Sequence, residues 1–169
     1  MTANLPEPWL RGTLTEVPPV LRAVLHALEL CWNDVQRFCE GLSSEELNMS
    51  PLGLPSVAFH LKHIARSTDR LLSYAEGRTL GDDQLAAKQS ELDATSTRAE
   101  LFSELDAALK RSAVRIRGFS ASRLDEVRLV GKKQLPTTVA GLLVHVADHA
   151  QRHVGQAVTT SKIVLAQRR

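Results

Sequence analysis

The chain is short of several things, and each shortage narrows the field. It has two cysteines, Cys31 and Cys39, in 169 residues, so it is no disulfide-stapled scaffold. Eight positions apart within one helical segment, they would lie about 12 Å apart along the axis, too far to bridge. No apolar run approaches the roughly 18 residues of a membrane span. The amino terminus, MTANLPEPWLRGTL, has no charged region followed by an apolar one. No signal peptide is therefore expected, and the expected compartment is the cytoplasm. Charge of one sign is missing too: 21 basic against 19 acidic side chains leave +2, too little for a nucleic-acid footprint. There is no G-x-G-x-x-G, no phosphate loop and no G-x-S-x-G elbow. Alternating strand patterns are short and few.

What remains reads as helix. Hydrophobic residues make up 43% and charged residues 24%, an ordinary globular balance. At about 150 residues per domain the length predicts one domain, 1–169, large enough to bury its own core. Apolar residues recur at three and four spacing in four segments. In 18–41, Leu21, Val24, Leu25, Leu28, Trp32, Val35 and Cys39 form one stripe after Pro18-Pro19. In 55–77 the stripe is Val57, Leu61, Ile64, Thr68, Leu71 and Ala75. In 95–118 it is Leu101, Leu105, Ala108, Leu109 and Ile116, with Thr95 or Thr97 as cap. In 137–166 it is Val139, Leu143, Val146, Ala150, Val154 and Ala157. Ser43 to Glu46 reads as a capping box for a short extra turn. The connection 77–96 is too long for a tight helix hairpin. It reads as a crossover or a lid, its acidic residues solvated. These lengths predict an all-α four-helix bundle.

Histidine is the informative residue. Five of the six fall in two short windows, His60/His63 and His145/His149/His153. At about 100° per residue, the last three step by about 40° each and share one helix face. Two imidazoles one turn apart can reach a single metal ion. His63 can add a third nitrogen from another helix, with His60 about 60° away around that helix. His26 falls on the polar side of its own helix and is left out. Arg70 and Tyr74 lie within about 20° of His63, and Gln156 lies near the His149 direction. They are candidates to orient an anion or to brace the ligands.

This donor set favours particular chemistry. Three neutral imidazoles bind a divalent ion and leave a position open. The ion acidifies water or a thiol. An all-nitrogen set suits zinc or nickel and allows iron, cobalt or copper. The set differs from the Glu-x-x-His pairs of di-iron bundles. It also differs from H-E-x-x-H, because Ala150 stands where the glutamate base would be. No glutamate shares the histidine face of the last helix, so any base must come from elsewhere. The competing reading is a packed histidine cluster without an ion.

The segment SVAFHLKHIARSTDRLLSYAEG, followed much later by TTVAGLLVHVADHAQRHVGQ, resembles the DinB/YfiT-like superfamily of metalloenzymes. The resemblance runs over nearly the whole chain. Its most specific element is His-x3-His followed by Val-Gly-Gln. It implies a four-helix bundle of up-down-down-up topology and frequent homodimers. It also implies a three-histidine zinc or nickel site, whose ligands map onto His63, His149 and His153. Known activities in such a family include transfers and isomerisations that use a low-molecular-weight thiol. His60 and His145 depart from the usual pattern, as extra ligands or as acid–base groups.

The leading expectation is a metal-dependent enzyme acting on a small electrophile, by thiol transfer or hydrolysis. Its partners would be a small-molecule substrate and a second copy of the chain, with no nucleic acid and no membrane. The alternative is a non-catalytic metal- or ligand-binding dimer, and a third is a metal-free helical interaction module.

Overall fold

Prolines, capping side chains and apolar stripes set the element boundaries. The computed structural model describes residues 5–168. Helix α1 spans Pro19–Cys39, with proline in its first turn, where the missing N–H costs nothing. A five-residue helix α2, Ser44–Asn48, opens on the expected Ser43/Glu46 capping box. Helix α3, Val57–Ala75, starts where Ser56 Oγ accepts from the Phe59 amide at 3.1 Å. Helix α4 is Asp82–Gln89. Helix α5, Arg98–Arg117, opens on a Thr97/Glu100 capping box. Strands β1, Val127–Val130, and β2, Leu135–Thr138, form an antiparallel hairpin that leads into α6, Val139–Ala166.

The expected stripes face one another. Both α1 and α3 pack along α6, and α5 packs on α3 and α1. Leu21, Cys31, Val35, Leu61, Ile64, Leu105, Ile116, Leu143 and Val146 are among the fully enclosed side chains, with Leu28 buried beside them. On α3 the inner position is Leu72 rather than Leu71, which is half-buried. Both cysteines are buried thiols. Gln151 Nε2 donates to the Ala27 carbonyl at 2.7 Å and Ser161 Oγ to that of Phe38 at 2.5 Å. Contacts on α1 and α6 thus advance together. Just before α3, Pro55 meets Thr160, and further along α3 His63 meets His149, so α3 opposes α6. No helix among the described residues is long and apolar enough to cross a membrane.

Two parts of the chain depart from the sequence expectation. The hairpin lies in a stretch with little strand signal. Its strands are four residues each, Val127, Leu129 and Leu135 stay exposed, and Pro136 interrupts the second strand. Such strands are too short and too little buried to write a period into the sequence. Gly131 and Gln134, both at positive φ, make its turn, and Arg128 Nε donates to the Ala75 carbonyl at the end of α3. The other departure is His26. It is only 6% exposed, and Thr13 Oγ1 lies 3.1 Å from its Nε2. The segment before α1 folds back over what helical geometry alone assigns to solvent.

The α3–α5 connection contains α4 and a short 3-10 turn, Ser90–Leu92. Side chains of α3 hold it down. Lys62 is 2% exposed, and its Nζ donates to the carbonyls of Ser90, at 3.3 Å, and Asp93. Arg66 Nη1 donates to the Ala87 carbonyl at 2.7 Å, while its Nε pairs with Glu104 at 2.6 Å. Burying an ammonium against two carbonyls lowers the Lys62 pKa, chiefly through lost hydration, with Arg66 adding to the effect. Lys62→Met leaves the Asp93 carbonyl without its donor and takes one of two from that of Ser90, which keeps the Asp93 amide, at a cost of about 1–3 kcal/mol. Denaturant unfolding should register that loss. Amide exchange should quicken across 87–93 while α3 keeps its protection; uniform protection would contradict the tether.

Candidate metal centre

The α3–α6 interface brings two histidine pairs together because both helices place them at the edge of their apolar stripes. His63 Nε2 lies 2.9 Å from His149 Nε2, and His60 Nδ1 lies 3.1 Å from His153 Nδ1. Ring centroids of His63 and His153 are 4.4 Å apart, and those of His149 and His153 4.6 Å. Phe59, one residue before His60, stacks on His63 at 5.3 Å with 20° between the rings. It also meets His60 and His153 edge-on. The cluster is thus walled by an aromatic face.

His63, His149 and His153 each offer a nitrogen, and the three lie within 4.8 Å of one another. All three residues are half-buried. Nitrogens around a tetrahedral zinc ion at about 2.0–2.1 Å stand roughly 3.3 Å apart, so small ring rotations suffice. The 2.9 Å approach of His63 to His149 needs a proton between the two nitrogens, and a divalent ion can replace that proton. The donor set fits a divalent ion.

Glu91 completes the arrangement. It lies in the 3-10 turn of the α3–α5 connection and is 5% exposed. His63 Nδ1–H donates to its Oε2 at 2.6 Å, and Arg70 Nη1 donates to its Oε1 at 2.7 Å. Burial pushes the Glu91 pKa up, but the hydrogen bonds from His63 and Arg70 outweigh that and hold it below the ordinary carboxylate range. The expectation that the acidic residues of this connection are solvated is therefore overturned at Glu91. The only sequence trace of it was indirect. Lys62, Arg66 and Arg70 recur at four spacing beside His63, a cationic row that asks for acceptors.

The remaining candidates separate. His60 is 1% exposed and touches His153. His145 is exposed at the outer end of the row, with its ring centroid 5.3 Å from that of His149 and its Nδ1 3.6 Å from Asp148 Oδ2. Arg70 reaches the cluster only through Glu91. Tyr74 packs against the hydrophobic core. Gln156 is exposed and lines a cleft shared with His60. His26 stands apart from the cluster, on Thr13.

Burial, then repulsion from neighbouring imidazolium, pushes His60, His149 and His153 down to about 4. At neutral pH these rings are uncharged and keep a lone pair for an ion. The unfolded chain takes up these protons near the ordinary value of 6.5, whereas the folded chain resists until about 4. The stability that they confer is complete above pH 6.5 and drains away as pH falls toward 4. The melting temperature of metal-free protein should drop steadily across that window. A His60→Phe/His149→Phe/His153→Phe variant should show a flatter profile, and an equally steep one would refute the assignment.

The fold has a solved counterpart. A crystal structure of a conserved protein from Enterococcus faecalis superposes with a TM-score of 0.72, covering 88% of this chain and 98% of that one at 20% identity. At that identity the likeness speaks for the fold alone. No curated protein matches the chain significantly. The sequence model of the DinB superfamily matches residues 27–157, a span that includes α3, the Glu91 turn and the histidine row of α6. On that match the chain belongs to the DinB superfamily.

Proposed function

We propose that this protein is a metal-dependent enzyme in which His63, His149 and His153 hold one divalent ion, zinc or nickel. The observation that carries the reading is the convergence of three imidazole nitrogens within 4.8 Å, with one of the rings anchored by a buried carboxylate. When bound, the ion supplies Lewis acidity at a position left open by three protein ligands, enough to acidify a thiol or a water near neutral pH. The proposed reaction is transfer of a low-molecular-weight thiol to a small electrophile, or hydrolysis of one.

The chain's own groups have distinct tasks in this reading. Glu91 keeps the His63 proton on Nδ1, which leaves Nε2 as the ligand atom. Arg70 keeps Glu91 ionised. His60 engages Nδ1 of His153, which leaves Nε2 of that ring to the ion. Partial exposure of His63, His149 and His153 gives solvent and substrate a route in. Helix directions support an up-down-down-up bundle. Besides the α1–α6 and α3–α6 contacts, Arg66 pairs with Glu104 while Arg115 pairs with Asp69 and Glu76, so α3 and α5 advance together. A core running from Val17 to Val164 supports a single domain.

Elemental analysis of untagged protein, purified without chelator, tests the reading directly. About one zinc or nickel per chain is expected, and none in the His149→Ala/His153→Ala variant. No metal in the wild type, and no uptake of added zinc or nickel, would end the metalloenzyme reading. Glu91→Gln should keep the fold and weaken metal affinity about 10- to 100-fold, read by chelator competition; wild-type affinity would remove Glu91 from its assigned task.

A further inference from the structure

Beside the histidine cluster, the Leu54–Pro55 turn and α6 leave a cleft of about 290 Å³ that touches His60, Arg152, Gln156 and Thr159. It sits at the lower end of small-molecule pocket sizes. Its polar groups are not equivalent. Thr159 Oγ1 already donates to the Gly155 carbonyl at 2.9 Å, and Thr160 Oγ1 to that of Pro55 at 3.3 Å. Their protons are committed within the protein. The Arg152 guanidinium and the Gln156 amide remain as donors.

His60 adds a third. Its Nδ1 lies 3.1 Å from His153 Nδ1. An ion on His153 Nε2 leaves the His153 proton on Nδ1, from which it donates to His60 Nδ1. The proton of His60 then sits on Nε2. That atom is buried and has no hydrogen-bond partner, a costly state for a donor. A ligand acceptor in the adjoining cleft would relieve it.

We infer that this cleft binds a small monocarboxylate with an apolar body, an inference that rests on the reading of His153 as a metal ligand. The carboxylate takes hydrogen bonds from Arg152, Gln156 and His60 Nε2, and the apolar body lies on Leu54 and Pro55. A planar carboxylate matches the guanidinium fork. Asp148 Oδ2, 2.5 Å from Arg152 Nη2, offsets part of the local positive charge, which disfavours a dianionic phosphate. Metal and carboxylate strengthen each other's binding, because the ion fixes the His153 proton that makes His60 a donor. The coupling is reciprocal by linkage.

Calorimetric titration of zinc-loaded full-length protein with benzoate tests this. Saturable binding is expected, weakened about tenfold or more in both Arg152→Gln and His60→Phe, with the zinc content of Arg152→Gln unchanged. Benzoate should also slow zinc loss to a chelator. Absence of saturation, wild-type affinity in both variants, or tighter binding of inorganic phosphate would overturn the inference. Arg152 is exposed, so its variant stays informative if His60→Phe does not fold. If the wild type takes up no zinc, the metal reading fails separately, and metal-free protein then decides the cleft. Benzoate binding lost in Arg152→Gln would uphold it, and binding indifferent to that change would overturn it.

Discussion

The centre depends on one buried ion pair with a histidine attached. Glu91 is enclosed between Arg70 and His63, with each carboxylate oxygen taking one donor at 2.6 to 2.7 Å. A carboxylate this deep is costly unless both charge and lone pairs are answered. Here the same two bonds that satisfy it also fix which nitrogen of His63 carries the proton. Geometry, charge state and tautomer are thus set together, by a residue that faces the histidines from outside the two helices that carry them.

That residue lies on a connection, and connections are ordinarily the loosest parts of a fold. This one is held by the polar face of α3. Lys62, Arg66 and Arg70 stand at successive turns and between them hold Ala87, Ser90, Glu91 and Asp93 of the 87–93 segment. Helix α3 therefore has two jobs on opposite sides. Its apolar stripe builds the core with Leu61, Ile64 and Leu72, and its cationic row ties down the turn that bears Glu91.

The four long helices were legible in the sequence because period and start signals agree: Pro19 opens α1, and Ser56 and Thr97 each stand one residue ahead of a long helix they cap. The convergence of His63 with His149 and His153 was legible for a related reason, since residues four apart must share a helix face. The misses have other physical origins. Glu91 and His26 owe their surroundings to contacts between a helix and a segment outside it, while the hairpin strands are too short and exposed to leave a pattern. No local period records such contacts. His26 looked solvent-facing until the Thr13 segment covered it, and Glu91 looked like one more acidic loop residue until α3 was placed beneath it.

The Arg70–Glu91 pairing has an electrostatic consequence. Because Arg70 cancels Glu91, and the imidazoles of His149 and His153 are neutral above about pH 4, the protein supplies almost no net negative charge where an ion would sit. A divalent cation held there keeps most of its own charge, unlike one caged by carboxylates. The centre would then act as an electrophilic hole that draws anions from solution, thiolates and carboxylates among them. It would hold its metal by the softness and placement of nitrogen lone pairs rather than by Coulomb attraction. Hard oxygen-seeking ions such as magnesium and calcium would find little purchase in it.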